Sequence, residues 1–370
     1  MRIARVLGWA VLAIAVAAVA ALAIGYVRSD NDCERQLALT PRRPMTAVIR
    51  CDYGTADVLQ LAQVDIPVPG DEEILVKVHA AGINPLDWHE MRGTPYLMRL
   101  GSGLRRPQDL RLGVDFAGTV AAVGAKVTRF KPGDAVFGGR SGALAQYLVV
   151  RHDRAVAPKP DNVSFEQAAG VGIAGTTALQ GLRDAGRVAA GDRVLVNGAS
   201  GGVGTFAVQI AKSMGAEVTG VSSARNHELV RSLGADHVID YKIQDYTAGD
   251  VRYDVILDAV GNRSALENRG VLVPDGRYVL VGGGGPDAGN WIGPLAKPLQ
   301  ALLVSPFVSQ HMSMMLAQFT YADTQALASL LQSGAVTPVI DRLYPLAEVA
   351  EAIRYLEQGR ARGKVVITVE

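Results

Sequence analysis

Between Arg193 and Gly204 the chain reads RVLVNGASGGVG, the stretch best suited to chemistry. Val194, Leu195 and Val196 make a short apolar strand, glycines follow at 198, 201, 202 and 204, and Phe206 to Met214 resumes at helical spacing. Strand, glycine turn and helix form a dinucleotide cradle. Small residues let the backbone approach a diphosphate, whose charge meets the free N–H groups and positive end of the new helix. The first fingerprint glycine is replaced by Ala199, which is still small. The turn and first helical residues, Ala199, Ser200, Gly201, Gly202, Val203 and Gly204, are therefore expected to hold the diphosphate.

The elements needed to position that turn are legible around it. From about Pro158 onward helical patterns alternate with strands at Val194 to Asn197, Val218 to Val221, Val238 to Ile239, Val255 to Asp258 and Tyr278 to Val281. Such alternation predicts a doubly wound parallel sheet. Ser164-Phe165-Glu166-Gln167 is a capping box opening one helix; others are expected over Thr176 to Asp184, Thr324 to Gln332 and Leu346 to Glu357. Upstream, short β-rich runs between Ala47 and Val150, broken by Gly and Pro, predict a small barrel or sandwich. The strand Lys364 to Val369 has no helix after it and is expected to return there.

The whole chain sets the limits. At 370 residues it suggests two domains. Lys plus Arg number 37 and Asp plus Glu 36, so no basic surface points to nucleic acid. Cys33 and Cys51 lack metal spacing; they could pair, though nothing in the sequence requires it. Val6 to Val27 carries no charge and as a helix would reach about 33 Å, enough for a bilayer core of roughly 30 Å. A transmembrane anchor over 1–28 is the expectation, with a cleaved signal peptide as the alternative. Arg28, Arg35, Arg42 and Arg43 after the run lean the catalytic part of a single-pass membrane protein to the cytoplasm. Residues 29–44 read as a polar linker.

Several segments together resemble the zinc-independent, quinone-oxidoreductase-like branch of the medium-chain dehydrogenase/reductase superfamily. They are Ala80 to Asp87 (AAGINPLD), Gly113 to Gly118 (GVDFAG), Pro132-Gly133-Asp134, Asn197 to Gly204, Leu233 to Tyr241 and Ala361-Arg362-Gly363-Lys364. The resemblance implies a GroES-like substrate domain over 45–160, completed by 338–370, and a Rossmann domain over 161–337. It also implies an enoyl-reductase-type active site in the cleft between them, and a homodimer. Zinc-dependent relatives carry cysteine where this chain has Asn84 and histidine where it has Val114; neither replacement is a zinc donor. No metal is expected.

Charge suggests which dinucleotide binds. The second strand of the sheet ends in Ser222-Ser223-Ala224-Arg225, with hydroxyls and a guanidinium where an NAD site would place an acid, so NADPH is expected in preference to NADH. Tyr241 falls where the resembling family sets a tyrosine against the same phosphate. By family position Thr177, Ala259, Val281 and Gly282 approach the nicotinamide, and Arg360, Ala361 and Arg362 form the C-terminal cofactor segment. Asn84 and Tyr53 are the polar groups expected at the reacting end, with Tyr96 a further candidate. Without a metal to hold an alkoxide, hydride addition to a quinone or α,β-unsaturated carbonyl fits best. Loops such as Met91 to Pro107 and Asn290 to Phe307 suggest cover for a small hydrophobic acceptor. Two other readings stay open: a membrane-tethered NADPH-binding scaffold or redox sensor, and an NAD(P)-dependent alcohol dehydrogenase.

Overall fold

The computed structural model describes residues 2–27, 29–283, 289–291 and 308–369. Gly284 and Gly285, and all but the first two residues of the loop expected to run from Asn290 to Phe307, lie outside that range, as does all but Trp291 of the apolar segment Trp291 to Val304.

The N-terminal run is helical, α1 (Arg2–Val27), but it corrects the expectation of a transmembrane anchor. Among the described residues no helix is long and apolar enough to cross a membrane, which overturns both the anchor and the single-pass membrane localisation. The end of the run is a docking surface instead. Gly25 is buried, and its carbonyl accepts the Leu104 N–H at 3.3 Å and the Ser29 hydroxyl at 2.7 Å. A side chain at Gly25 would strike Leu104. The expected linker holds a short helix, α2 (Cys33–Ala38), joined to the body by a Cys33–Cys51 disulfide. Beside it the Asn31 amide donates to the carbonyls of Cys51 (2.8 Å) and Pro107 (3.0 Å).

The β-rich part begins with the antiparallel pair β1 (Pro44–Ile49) and β2 (Gln60–Asp65). Then come β3 (Glu73–Ile83), α3 (Pro85–Arg92), α4 (Arg99–Ser102), β4 (Asp115–Val123), β5 (Ala135–Gly139), β6 (Tyr147–Arg151) and β7 (Val156–Pro158). β3 alternates little because it is covered on both faces; Ile74, Val76, Val78, Ala80, Ala81 and Ile83 are all buried.

The second layer system opens with α5 (Phe165–Ala169) and α6 (Gly172–Gln180). It continues through β8 (Arg193–Asn197), α7 (Gly202–Ser213), β9 (Glu217–Ser222), α8 (His227–Ser232), β10 (His237–Asp240), β11 (Tyr253–Asp258), α9 (Ala265–Gly270), β12 (Leu272–Leu280), β13 (His311–Met314) and α10 (Tyr321–Gln332). The six strands are parallel in the order β10-β9-β8-β11-β12-β13. That order reverses between β8 and β11, and a doubly wound sheet opens a crevice at such a point.

The chain then returns with β14 (Ile340–Pro345), α11 (Val349–Glu357) and β15 (Lys364–Thr368). β15 lies between β14 and β3 in a seven-stranded sheet ordered β14-β15-β3-β4-β5-β7, with β6 also on β3. The two-domain α/β architecture with GroES-like and Rossmann-like sheets thus stands, without the membrane helix.

Candidate functional site

The glycine turn follows β8 at the reversal point. Gly198 has φ +85°, a left-handed conformation that disfavours any side chain, and a Cβ on Gly204 would lie 2.1 Å from the Gly198 carbonyl. Backbone and helix start are therefore packed too closely for anything but glycine at 204. Ala199 is buried and Ser200, Gly201 and Gly202 are half-buried, with Gly202, Val203 and Gly204 forming the first turn of α7. This is a backbone cradle of the kind a diphosphate needs.

The other expected cofactor residues are brought to the same edge. Ser222 ends β9 and Ser223 follows it, both buried, and Tyr241 follows β10 with its N–H 3.4 Å from the Ser222 carbonyl. Arg225 is exposed and donates from Nη2 to the Arg360 carbonyl at 3.1 Å, joining the two proposed phosphate-side segments. Ala259 follows β11, where its N–H reaches the Asn197 carbonyl (3.1 Å). Buried Asp258 fixes that corner by accepting from Asn197 Nδ2 and Gly261 N–H, both at 2.8 Å, and from the Tyr278 hydroxyl at 2.8 Å. Val281 and Gly282 lie beside Ala259; the Val281 N–H donates to the Asp258 carbonyl (2.9 Å), and a Cβ on Gly282 would come within 2.6 Å of the Ala259 carbonyl. Thr177 is different: its hydroxyl donates within α6 to the Ile173 carbonyl (2.7 Å). Ala361 and Arg362 precede β15, with the Arg362 N–H on Asp341 (3.1 Å).

Asn226 was not anticipated. It is buried, its Nδ2 donates to Ser200 Oγ (2.9 Å) and lies near Ser223 Oγ (3.4 Å), and its Oδ1 has no partner among the described residues. An unpartnered buried acceptor between the glycine turn and the end of β9 suits the hydroxyl-rich end of a dinucleotide.

At the reacting end the structure departs from expectation. Asn84 is 2% exposed, and its amide is taken up by its neighbours. Oδ1 accepts from Lys364 Nζ, while Nδ2 donates to Asp115 Oδ2 at 2.9 Å and points at the Gly82 carbonyl at 3.4 Å. Lys364 also reaches Asp115 Oδ2 (3.3 Å), and Asp115 Oδ1 accepts the Ile173 N–H from α6 (2.7 Å). Burial pushes the Asp115 carboxyl up against the downward pull of Lys364 and its hydrogen bonds. Asn84 is therefore the hub of a buried charged network that binds β3, β4, β15 and α6 together. Val114, the other position where zinc-dependent relatives have a ligand, is a buried valine, and neither it nor the tied Asn84 amide fits a zinc ion.

Asp87 sits behind this hub, accepting the Asn84 N–H at 2.7 Å, with burial raising its pKa to about 8. The network extends into the glycine turn, because the Gly363 N–H, one residue before Lys364, donates to the Ser200 carbonyl (2.9 Å). The sequence signal for it was a lone lysine opening the apolar run Lys364 to Thr368.

Tyr53 is likewise occupied. Its hydroxyl bonds to the carbonyls of Ser102 (3.1 Å) and Gly103 (2.9 Å), and Arg99 lies 4.4 Å over its ring. Tyr96 packs edge-on against Trp291 (5.3 Å), and its N–H meets the Asn290 carbonyl (2.7 Å). Both tyrosines shape the loop after α3.

Comparison with known proteins gives concordant results. Residues 70–161 match the alcohol dehydrogenase GroES-like domain, and residues 233–367 match the zinc-binding dehydrogenase family. A quinone oxidoreductase from Mus musculus is 34% identical over 346 residues, covering 89% of this chain and 99% of that protein. A 2-methylene-furan-3-one reductase from Solanum lycopersicum is 35% identical over 336 residues, covering 85% and 77%. The solved quinone oxidoreductase from Coxiella burnetii superimposes with a TM-score of 0.77 at 30% identity, covering 89% of this chain and all of that one.

Proposed function

The chain belongs to the quinone oxidoreductase branch of the medium-chain dehydrogenase/reductase superfamily, and on that premise we propose that it reduces a quinone or α,β-unsaturated carbonyl with NADPH and without a metal. One observation carries the reading. The bare turn from Gly198 to Gly204 stands at the sheet's reversal point, where the ends of β9, β11 and β12 converge, and its geometry suits a diphosphate.

Ser222, Ser223, Arg225 and Tyr241 support NADPH over NADH, since they gather hydroxyls and a cation where a ribose-binding acid would otherwise stand. Bound NADPH supplies the hydride. In this reading the chain's own residues orient cofactor and acceptor: Asp258 fixes Ala259 beside Val281, and the Lys364–Asn84–Asp115 network sets the substrate-domain wall against the glycine turn. The amide of Asn84 positions that wall rather than meeting the acceptor. Such a site needs no acid or base poised on the acceptor, because an enolate or quinolate takes its proton from water.

The test is NADPH oxidation by the purified full chain against a panel of quinones and enones. Turnover of several members, faster with NADPH than NADH, is the expected result; NADPH binding with no turnover on any acceptor would overturn the reductase reading.

A further inference from the structure

The substrate domain contains a second buried charge, and its surroundings are opposite to those of Lys364. Arg50 follows β1 directly and is 3% exposed, yet its Nε and Nη1 are buried without a hydrogen-bond acceptor among the described residues. Its guanidinium stands 5.7 Å from the centroid of the Tyr53 ring, at the outer reach of a cation–π contact. Burial lowers its pKa, while Glu90, Asp109 and Asp87 act on it only through space. Asp109 is engaged by the Ser141 hydroxyl and the Arg111 N–H, each at 3.1 Å.

Arg50 forms part of the floor of a cleft of about 570 Å³, walled by His89, Glu90, Ser102, Asp109 and Ser141. His89 belongs to α3, the helix that begins beside Asn84. Its Nδ1 lies 2.8 Å from the Thr94 carbonyl, which puts the ring proton there, and burial lowers its pKa. The wall thus presents an imidazole whose charged form burial disfavours.

A buried cation lacking acceptors is expensive to keep, and a ligand oxygen in the adjoining cleft would complete it. The ligand's chemistry follows from what is missing. Asp109 lies within electrostatic reach and would repel a carboxylate, while burial favours the neutral form of Glu90; an acceptor atom at short range is what the guanidinium lacks. A neutral carbonyl oxygen in the cleft supplies it once the guanidinium turns Nε or Nη1, both sealed in this structure, toward the opening.

We infer that Arg50 receives the carbonyl oxygen of a neutral quinone or enone in this cleft and holds the negative charge that this oxygen gains on reduction. The inference rests on the reductase reading above. When hydride adds to the conjugated carbon a C–H bond forms, the C=C pair moves toward the carbonyl carbon, and the C=O π pair settles on oxygen. The acceptor is reduced by two electrons and NADPH becomes NADP+. A proton from water completes the ketone or hydroquinone, and Arg50 keeps its own protons throughout. Acceptors that carry a carboxylate are disfavoured by Asp109.

The test compares the full-length chain with Arg50→Met and Arg50→Lys, using 1,4-naphthoquinone and a cyclic enone as acceptors. The saturated ketone serves as a non-reducible probe of binding by calorimetry. Arg50→Met is expected to lose roughly 100-fold in kcat/KM, to lose ketone binding, to keep its NADPH affinity within about twofold, and to melt higher because an uncompensated charge has left the interior. Arg50→Lys should recover part of both activity and ketone binding. Unchanged kcat/KM and ketone binding in Arg50→Met would overturn the inference, as would a lower melting temperature with parallel loss of NADPH affinity, which would make Arg50 a structural prop. Should the unaltered chain reduce no acceptor, the reductase reading falls, while calorimetry still decides whether Arg50 takes a ketone.

Discussion

Lys364 and Arg50 are both cations sealed inside the substrate domain, yet they are treated in opposite ways. Lys364 finds Asp115 and Asn84 at hydrogen-bonding distance, from strands distant in sequence, and every partner is itself fixed. Arg50 finds an aromatic ring and acids that act only through space, with no acceptor at its Nε or Nη1 among the described residues. The contrast separates two uses of buried charge. A paired charge specifies how elements join, because removing either member strands the other; an unpaired one weakens the fold and leaves donors for a ligand to complete.

The largest expected effect comes from breaking the paired side. Asp115→Ala leaves the Lys364 ammonium buried without its counter-ion and should cost about 3–5 kcal/mol in urea unfolding, whereas Asp115→Ala combined with Lys364→Met should cost clearly less than the sum of the single changes. Additive losses would show that the two residues do not act as a pair. Gly82→Ala tests the same hub by crowding it. The new Cβ would stand 2.4 Å from the Ala169 carbonyl and 3.1 Å from Asp115 Cβ, for a loss of about 1–3 kcal/mol. A melting temperature equal to the parent's would mean that the hub tolerates displacement.

Arg225, exposed and anchored by a single backbone carbonyl, provides the third case. Arg225→Ala should weaken NADPH binding about tenfold, or roughly 1.4 kcal/mol, and NADH hardly at all, as fluorescence titration of both nucleotides would show. Equal losses would remove the argument for a phosphate there.

Asp87 gives an effect of another kind, a change of slope with pH. Its folded pKa of about 8 lies above the roughly 4 of an unfolded aspartate, so its contribution to stability is complete below pH 4 and is lost as pH rises through 8. Asp87→Asn should flatten the decline in urea midpoint between pH 5 and pH 9, and an unaltered decline would place its origin elsewhere.

What could be read in the sequence was whatever one segment settles by itself. The glycine turn, the alternation of strands and helices and the return of Lys364 to Val369 are local patterns, and each appears in the structure. The hub was hidden because Asn84, Asp115 and Lys364 lie 31 and 249 residues apart along the chain. Asn84 stood out as a polar residue at a position others use for metal, and from that alone it looked available to an acceptor; only its neighbours reveal that its amide is engaged. Tyr53 is a parallel case, since Ser102 and Gly103 hold its hydroxyl. Hydropathy marked the first helix as a span; in the structure its end packs through Gly25 on Leu104, and among the described residues no helix is long and apolar enough to cross a membrane. Arg50 carried no sequence signal, as the adjoining β1 strand reads like any edge pair.

The position of β15 between β14 and β3 has a consequence for how the molecule is made. During synthesis the earlier strands of that sheet must wait, with the Ala80–Ile83 stretch of one flank of β3 open, until residues near 368 have left the ribosome. The parallel sheet, whose strands are already complete by then, can settle first. Nascent chains stopped short of Lys364 should therefore offer an unfinished β3 edge to chaperones while already folding around the glycine turn.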